Sequence, residues 1–179
     1  MKTGTKSLLF GVHQFAWHPV TVALAWRRLY GSWPDWRTAV CIVVHDWGYW
    51  GCEKMDDERG ERHPELGAHI ARRLFGKKYH DLVLLHSRHL ARHLEMEPSE
   101  LCWPDKLSHI FYPVWLYWLL STITGEVNEY KQNAERFLGR SLTNWEYAIW
   151  IKAHFKKIAE ERLRATAATS CQVAREVMP

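Results

Sequence analysis

The eleven residues CIVVHDWGYWG, at positions 41–51, place a histidine and an aspartate directly after an apolar run. The β-branched residues of this run suit a buried strand as well as a helix, so the local pattern leaves the choice open. His45 and Asp46 bring an imidazole and a carboxylate to the end of the run, and polar groups beside a core need partners. The rest of the chain therefore has to supply both the fold class and those partners.

The segments around this stretch carry start and stop signals of helices. A proline in the first turn and a glycine after the last turn predict helices at 18–31 and 63–76. Asp35 is suited to capping a helix that leads into the opening stretch. Thr143 and Glu146 have the spacing of a capping box, which predicts that another helix begins there.

The other segments extend the same pattern. Residues 79–95 are predicted to continue as a helix, and the charged, glycine-bounded segment 51–60 is predicted to be a loop. A further helix is expected to open at Pro104 and to bend or break near Pro113. Because no segment shows convincing alternation or a hairpin turn, the sequence predicts an all-α bundle.

The chain has 179 residues, of which 47% are hydrophobic, as expected of one globular domain with a sizeable core. No internal repeat or interdomain linker divides it. The histidine-rich part covers 13–110, C-terminal helices are predicted for 111–166, and 167–179 is read as a tail or an oligomer contact. The sequence is thus compatible with a homo-oligomer.

Composition argues against several classes of protein. The net charge of +4 comes from cations mixed with carboxylates, as in 152–166, which is typical of a solvated helix face and indicates no specific nucleic-acid binding. The apolar segment 114–124 is shorter than the roughly 20 residues that a membrane span needs. Four cysteines without CxxC spacing, and an N-terminus without a secretory signal, favour the cytoplasm.

The eleven histidines are unevenly distributed. Several of them, with two aspartates, fall on five successive segments that are predicted to be helical or to start a helix. Imidazole and carboxylate are ligands for Zn, Fe, Mn and Co, and a helical bundle can direct side chains from several helices to a common centre. The sequence therefore predicts a metal centre in the core, with these residues as candidates: His18, His45, Asp46, His63, His86 and Asp105.

These residues give the chain a resemblance to the HD superfamily of metal-dependent phosphohydrolases. The resemblance rests on a histidine before VTVA, then VVHDWG, HPELGAHIA, LVLLHSRH and PDKLSHI, in the family's order and spacing. It covers roughly residues 15–110 and implies that 1–179 is a single HD-type domain, a helical bundle around its metal centre.

The resemblance also implies the roles of the candidate ligands. A first metal ion is expected on His18, His45, Asp46 and Asp105. Members with the two middle histidines hold a second ion, so His63 and His86 are assigned to it, with Asp46 as the bridging and catalytic carboxylate. The implied cofactors are thus divalent transition metal ions (Mn, Fe, Co or Zn), two in number.

The implied activity is hydrolysis of a phosphoester by a metal-bound hydroxide, with a nucleotide or a similar small phosphorylated compound as substrate. Arg88 and Lys106 are the nearest cations that can hold phosphate oxygens. Relatives with the same ligand order offer two alternatives, a di-iron oxygenase resembling myo-inositol oxygenase and a cyclic-nucleotide phosphodiesterase. A scaffold that binds without turnover is a third.

Some assignments stay open at the level of sequence. His13 competes with His18 for the first ligand position, and His89 is an alternative or an aid to His86. Tyr49 stands where many relatives have lysine or glutamate, so the usual helper group is missing. Three loop carboxylates are read as solvated, with one of them a candidate proton donor: Glu53, Asp56 and Asp57. Four aromatic residues can stack a base or pack the core: Trp17, Trp47, Tyr49 and Trp50.

Overall fold

Helices supply all the regular secondary structure in the part of the chain that the structure describes, so the predicted all-α class is confirmed. The computed structural model describes the backbone of residues 1–177 and the side chains of residues 1–164. The helices are α1 Thr3–Phe10, α2 His18–Tyr30, α3 Trp36–Val44, α4 Glu58–Glu61, α5 Pro64–Phe75, α6 Lys77–Leu84, α7 Arg88–His93, α8 Cys102–Leu107, α9 Val114–Thr124, α10 Val127–Leu138 and α11 Asn144–Val177, with 3₁₀ turns at Trp47–Tyr49 and Ser108–Phe111.

The β-branched run of the opening stretch forms helix α3 rather than a strand. Asp35 caps it as predicted, because its carboxylate accepts the backbone N–H groups of Arg37 and Thr38 at 2.8 and 3.0 Å. Cys41 and Ile42 are buried against the neighbouring helices α2, α5 and α6. Packing on these helices thus settles an ambiguity that the local sequence left open.

The predicted continuous helix over 79–95 is wrong. The chain leaves α6 after Leu84 and enters α7 at Arg88, and the Ser87 hydroxyl caps α7 by accepting the Leu90 N–H at 3.3 Å. The break places His86 between two helices rather than within one.

Short helices also occur where none was predicted. Helix α1 forms in the polar start of the chain, and α4 occupies the end of the expected loop 51–60. The Asp57 carboxylate caps α4 by accepting a backbone N–H of its first turn at 2.7 Å. Helix α8 begins at Cys102, slightly before Pro104, and the chain breaks at Pro113 as expected.

Two glycines let the start of α5 approach the end of α3. A Cβ at Gly67 would lie 2.4 Å from the Val44 carbonyl oxygen, and a Cβ at Gly48 would lie 2.0 Å from the His63 carbonyl oxygen. Only a residue without a side chain allows such contacts between backbones. The approach brings the segment after α3, which contains Asp46, next to His63.

The C-terminal helices form the largest buried apolar cluster, built from α9, α10 and α11. Helix α11 packs on α8 and α9, which connects this cluster to the histidine-rich half of the chain. The backbone of α11 is helical to Val177; the side chains of the expected tail at 167–179 lie outside the described residues. None of the helices in the described part of the chain combines the length and the apolarity that crossing a bilayer requires.

Lys152 of α11 ties this helix to the turn that follows α8. Its Nζ donates to the carbonyl oxygens of His109 at 2.8 Å and Ile110 at 3.1 Å, and also to that of Tyr112. Carbonyls at the end of a helical turn lack partners within the turn, so the ammonium satisfies them.

We expect Lys152→Met to lower the free energy of unfolding by about 2 kcal/mol, because three carbonyls lose a charged donor. Urea unfolding of the purified protein measures the change. Lys156→Met, at an exposed position on the same helix, is the matched control and should change the free energy by less than about 0.5 kcal/mol. Equal effects of the two substitutions would show that the Lys152 contacts are unimportant.

Candidate metal centre

Four of the predicted ligands meet in one buried group. His18 begins α2, His45 and Asp46 follow α3, and Asp105 lies in α8; each is at most 5% exposed. The Nε2 atom of His18 lies 3.2 Å from Asp46 Oδ2, 3.2 Å from Asp105 Oδ1 and 3.3 Å from His45 Nε2. The four ligand atoms all lie within 4.8 Å of one another, which is close enough to surround one metal ion.

Asp46 also belongs to a second buried group, with His63 and His86. Its other oxygen, Oδ1, lies 3.5 Å from the Nε2 atoms of both histidines, which are themselves 3.2 Å apart. His63 immediately precedes α5, and His86 lies in the break between α6 and α7. Asp46 therefore directs one oxygen to each group.

The backbone orients three of the imidazole rings in the same way. Each donates its Nδ1–H to the carbonyl oxygen of the residue three positions earlier: His45 at 2.6 Å, His63 at 2.7 Å and His86 at 2.6 Å. A neutral imidazole that carries its proton on Nδ1 has a bare lone pair on Nε2. All three Nε2 atoms that face the two groups are thus free to bind a metal.

This orientation leaves polar atoms that the protein itself does not satisfy. The Nε2 atoms of His63 and His86 face each other as two acceptors, and burial keeps the pKa of His63 well below its usual value, so its Nε2 carries no proton to share. Asp46 Oδ2 is buried without a hydrogen-bond partner of good geometry. A cation among these atoms satisfies all of them, so the donor set fits a metal ion.

The charges of the site point the same way. Burial opposes ionisation of Asp46 and Asp105, but the neighbouring histidines hold the pKa of Asp46, and Lys106 with the histidines holds that of Asp105, well below the usual value. Burial likewise opposes a charge on His18, yet the neighbouring carboxylates of Asp105 and Asp46 raise its pKa to about 9. The buried carboxylates thus create a negative site that favours a cation.

A cavity of about 530 Å³ opens onto this centre, with Asp46, His63 and Asp105 in its wall. Both predicted phosphate-binding cations line it as well. Lys106 donates from Nζ to Asp105 Oδ2 at 3.1 Å, and Arg88 is exposed, with its guanidinium 5.9 Å from the Trp103 ring centroid. The cavity thus gives a small molecule access to the buried groups past Arg88 and Lys106.

The structure also separates His18 from its competitor. His13 lies beside the ligand group, 5.2 Å from His18 between ring centroids, but its Nδ1 is 3.1 Å from Glu126 Oε2. Glu126 is fully buried and also accepts hydrogen bonds from Ser7, Val12 and Thr124. This network fixes His13 as a neighbour of the centre, while His18 is the histidine whose Nε2 faces the other candidate ligands.

His86 and His89 also differ in their burial and in their position relative to the centre. His86 is fully buried in the second group, whereas the side chain of His89 is 57% exposed and lies 3.9 Å from Glu61. The structure therefore favours His86 as the ligand and places His89 on the rim of the cavity.

His86→Ala should weaken binding at the second group by at least about 100-fold, because loss of even an indirect partner of a ligand costs 10- to 100-fold. His89→Ala should leave metal binding unchanged and is the matched control. Metal titration of the stripped protein, followed by elemental analysis, measures both. If His89→Ala lost metal and His86→Ala did not, the assignment would be reversed.

Several residues at the site had no assigned role or a different one. Tyr49 stacks on the His63 ring, with centroids 4.0 Å apart and an angle of 12° between the planes. It thus packs against a candidate metal ligand, at the position where many relatives have the helper group. His109, predicted to be structural, lines the cavity. Its position four residues after Asp105, one helical turn on, was the available signal.

Only some of the aromatic residues and loop carboxylates that were predicted to act at the site line the cavity. Of Trp17, Trp47, Tyr49 and Trp50, only Tyr49 is among the described residues that line this cavity.

Asp56 also lines the cavity, and burial together with the charges of Glu61 and Glu129 raises its pKa to about 6. A carboxyl with that pKa is partly protonated near neutral pH, as a proton donor must be.

Comparisons of the chain with protein-family models, with curated proteins and with solved structures find no match. The interpretation of the site therefore rests on its geometry. That geometry is a buried cluster of histidine and aspartate side chains that can hold metal ions, as an HD-type site would.

Proposed function

We propose that the protein is a metal-dependent phosphohydrolase that hydrolyses a phosphoester of a nucleotide or a similar small phosphorylated compound. The main support is that two ligand groups share Asp46 at the wall of a cavity that also carries cations. When bound, a pair of metal ions supplies a nucleophile from water near neutral pH and offsets charge on the phosphoryl oxygens.

Side chains of the two ligand groups would hold the two ions. His18, His45 and Asp105 complete one group and His63 with His86 the other, while Asp46 reaches both through different oxygens. Mixed nitrogen and oxygen donors suit Zn, Fe, Mn or Co. The hydrogen bonds from Nδ1 to the backbone keep the imidazole rings in the binding orientation before any ion arrives.

Arg88 and Lys106 bind and orient the phosphoryl group in this proposal. The exposed guanidinium of Arg88 can form paired hydrogen bonds to two phosphate oxygens. Burial opposes the charge on Lys106, but the neighbouring Asp105 raises its pKa, so the ammonium stays charged. Positive charge fixed beside the reacting group stabilises the charge that develops on its oxygens.

The test starts from protein stripped of metal and reloaded with Mn, Co, Fe or Zn, one at a time. Release of inorganic phosphate or of a nucleoside monophosphate is then measured with linear nucleotides, cyclic nucleotides and sugar phosphates. We expect release that depends on added metal. No release with any metal and any substrate would refute the proposal.

The same ligand set also suits a di-iron oxygenase, so a parallel measurement separates the two. The iron-loaded protein is monitored for oxygen uptake and by EPR with the same substrates and with phosphonates. Oxygen uptake without phosphate release would replace hydrolysis by oxidation as the activity.

A further inference from the structure

Helix α9 is apolar along its whole length, although one of its sides lies at the surface. Its sequence, VWLYWLLSTIT, contains no charged side chain. Three of its residues are nevertheless open to solvent: Trp115 is 58% exposed, Leu119 38% and Ile123 63%. A helix that is apolar on all sides is normally buried on all sides, so the exposed side of α9 calls for a covering molecule.

The spacing of the exposed residues suits packing against another helix. Trp115, Leu119 and Ile123 lie four positions apart, so they form one row along the helix. Rows of this spacing are the ridges that fit into the grooves between the same ridges of a second helix, which is the commonest way in which helices pack. The exposed side of α9 is therefore complementary in shape to an identical helix.

The start of helix α11 widens this surface. Trp145 and Ile149, also one turn apart, are 43% and 47% exposed. The Trp145 ring meets that of Trp118 of α9 edge-on, with centroids 5.7 Å apart. We call the exposed residues of the two helices the apolar face: Trp115, Leu119, Ile123, Trp145 and Ile149.

The area of the apolar face matches the requirement of a stable dimer. From the exposed fractions, its five side chains present on the order of 500 Å² to solvent. A standard interface covers about 800 Å² on each partner, and about 65% of the interface between identical chains is apolar. The apolar part of such an interface is thus also roughly 500 Å² on each side.

The distribution of charge favours a second copy of the chain over a membrane. A helix that lies on a bilayer combines its apolar side with lysines and arginines, and α9 has neither. Two copies that each carry a net charge of +4 repel each other where charged surfaces meet, but α9 brings no charge to the contact. Glu146, beside Trp145, is already paired with Arg140 at 3.5 Å.

We propose that the apolar face is the contact between two copies of this chain, with α9 packed against α9 of the partner around a twofold axis. In such a contact the same surface of both copies is used, and each pair of facing residues occurs twice. Leu119, in the middle of the row, then lies near the axis and faces its own counterpart. The proposal is independent of the proposed function.

Sedimentation equilibrium of the full chain at several concentrations is the first test. We expect a dimer, with twice the 21.2 kDa of one chain. Leu119→Glu should raise the Kd of this dimer at least about 100-fold, because two like charges would meet at the axis. Leu74→Glu, at a position of α5 that is 57% exposed, is the matched control and should leave the Kd unchanged. A monomeric unmodified chain, or a dimer that Leu119→Glu does not weaken, would overturn the proposal.

A mixing experiment tests the symmetry of the contact. Leu119→Glu and Leu119→Lys should each be monomeric alone, and an equal mixture of the two should form a dimer, because opposite charges then face each other at the axis. Circular dichroism shows whether both variants are folded. A mixture of folded variants that remains monomeric would contradict the twofold contact at Leu119.

Flotation with phosphatidylcholine vesicles tests the other occupant of the apolar face. We expect the unmodified chain to stay with the soluble fraction as a dimer. A monomer that floats with the vesicles, and loses this ability in Leu119→Glu, would replace the second copy by a membrane.

Discussion

Asp46→Asn is expected to abolish binding at both metal sites in one substitution. The side chain keeps its size, but the amide loses the negative charge, and its NH₂ nitrogen replaces one of the two oxygens that face the ligand groups. We expect affinity for each ion to fall by at least about 100-fold, and metal-dependent activity to fall with it. Elemental analysis after dialysis against micromolar metal measures the bound equivalents.

Asp35→Asn is the matched control for that substitution. Asp35 lies at the other end of α3, where it caps the helix, and asparagine caps a helix about as well as aspartate does. The control should bind as much metal as the unmodified chain. Full metal content in Asp46→Asn would show that the ligands have been misassigned.

Removal of metal is expected to lower the midpoint of thermal unfolding substantially. An ion at 100 times its dissociation constant stabilises the folded state by about 2.7 kcal/mol. For a chain of this size each kcal/mol shifts the midpoint by about 2–4 °C, so a drop of roughly 5–10 °C should follow chelation. Thermal unfolding followed by circular dichroism, with excess metal and then with chelator, measures it.

The Asp46→Asn variant supplies the control for the chelation experiment. Because its sites are expected to be lost, chelator should not change its unfolding midpoint. A shift of equal size in the variant would point to metal bound elsewhere. An unchanged midpoint in the unmodified chain would show that the buried centre takes up no ion in the folded state.

Local signals predicted many of the helix ends. Gly31 ends α2 in the left-handed conformation, with φ of 73°, and Thr143 and Glu146 form the reciprocal hydrogen bonds of a capping box. The break at His86 was missed because the apolar pattern continues through it. Ser87 is a capping residue in this structure, but a serine within a helical pattern does not reveal that role by itself.

The candidate ligands could be predicted because their residue types and order are unusual, and the structure brings all six together. The surroundings of the ligands could not be predicted in the same way. The contact of Glu126 with His13, and the Phe155 ring behind His109, join positions far apart in the chain. Such contacts depend on how the C-terminal helices dock, and no local pattern encodes that.

The candidate ligands come from segments spread along the chain between His18 and Asp105. A nascent chain therefore cannot complete the group of His18, His45, Asp46 and Asp105 until α8 has been synthesised and has docked beside α2. Cofactor loading should then be a late event of biogenesis. A fragment that ends before Asp105 should compete poorly for scarce ions, and incorporation of the cofactor should report that the tertiary structure is complete.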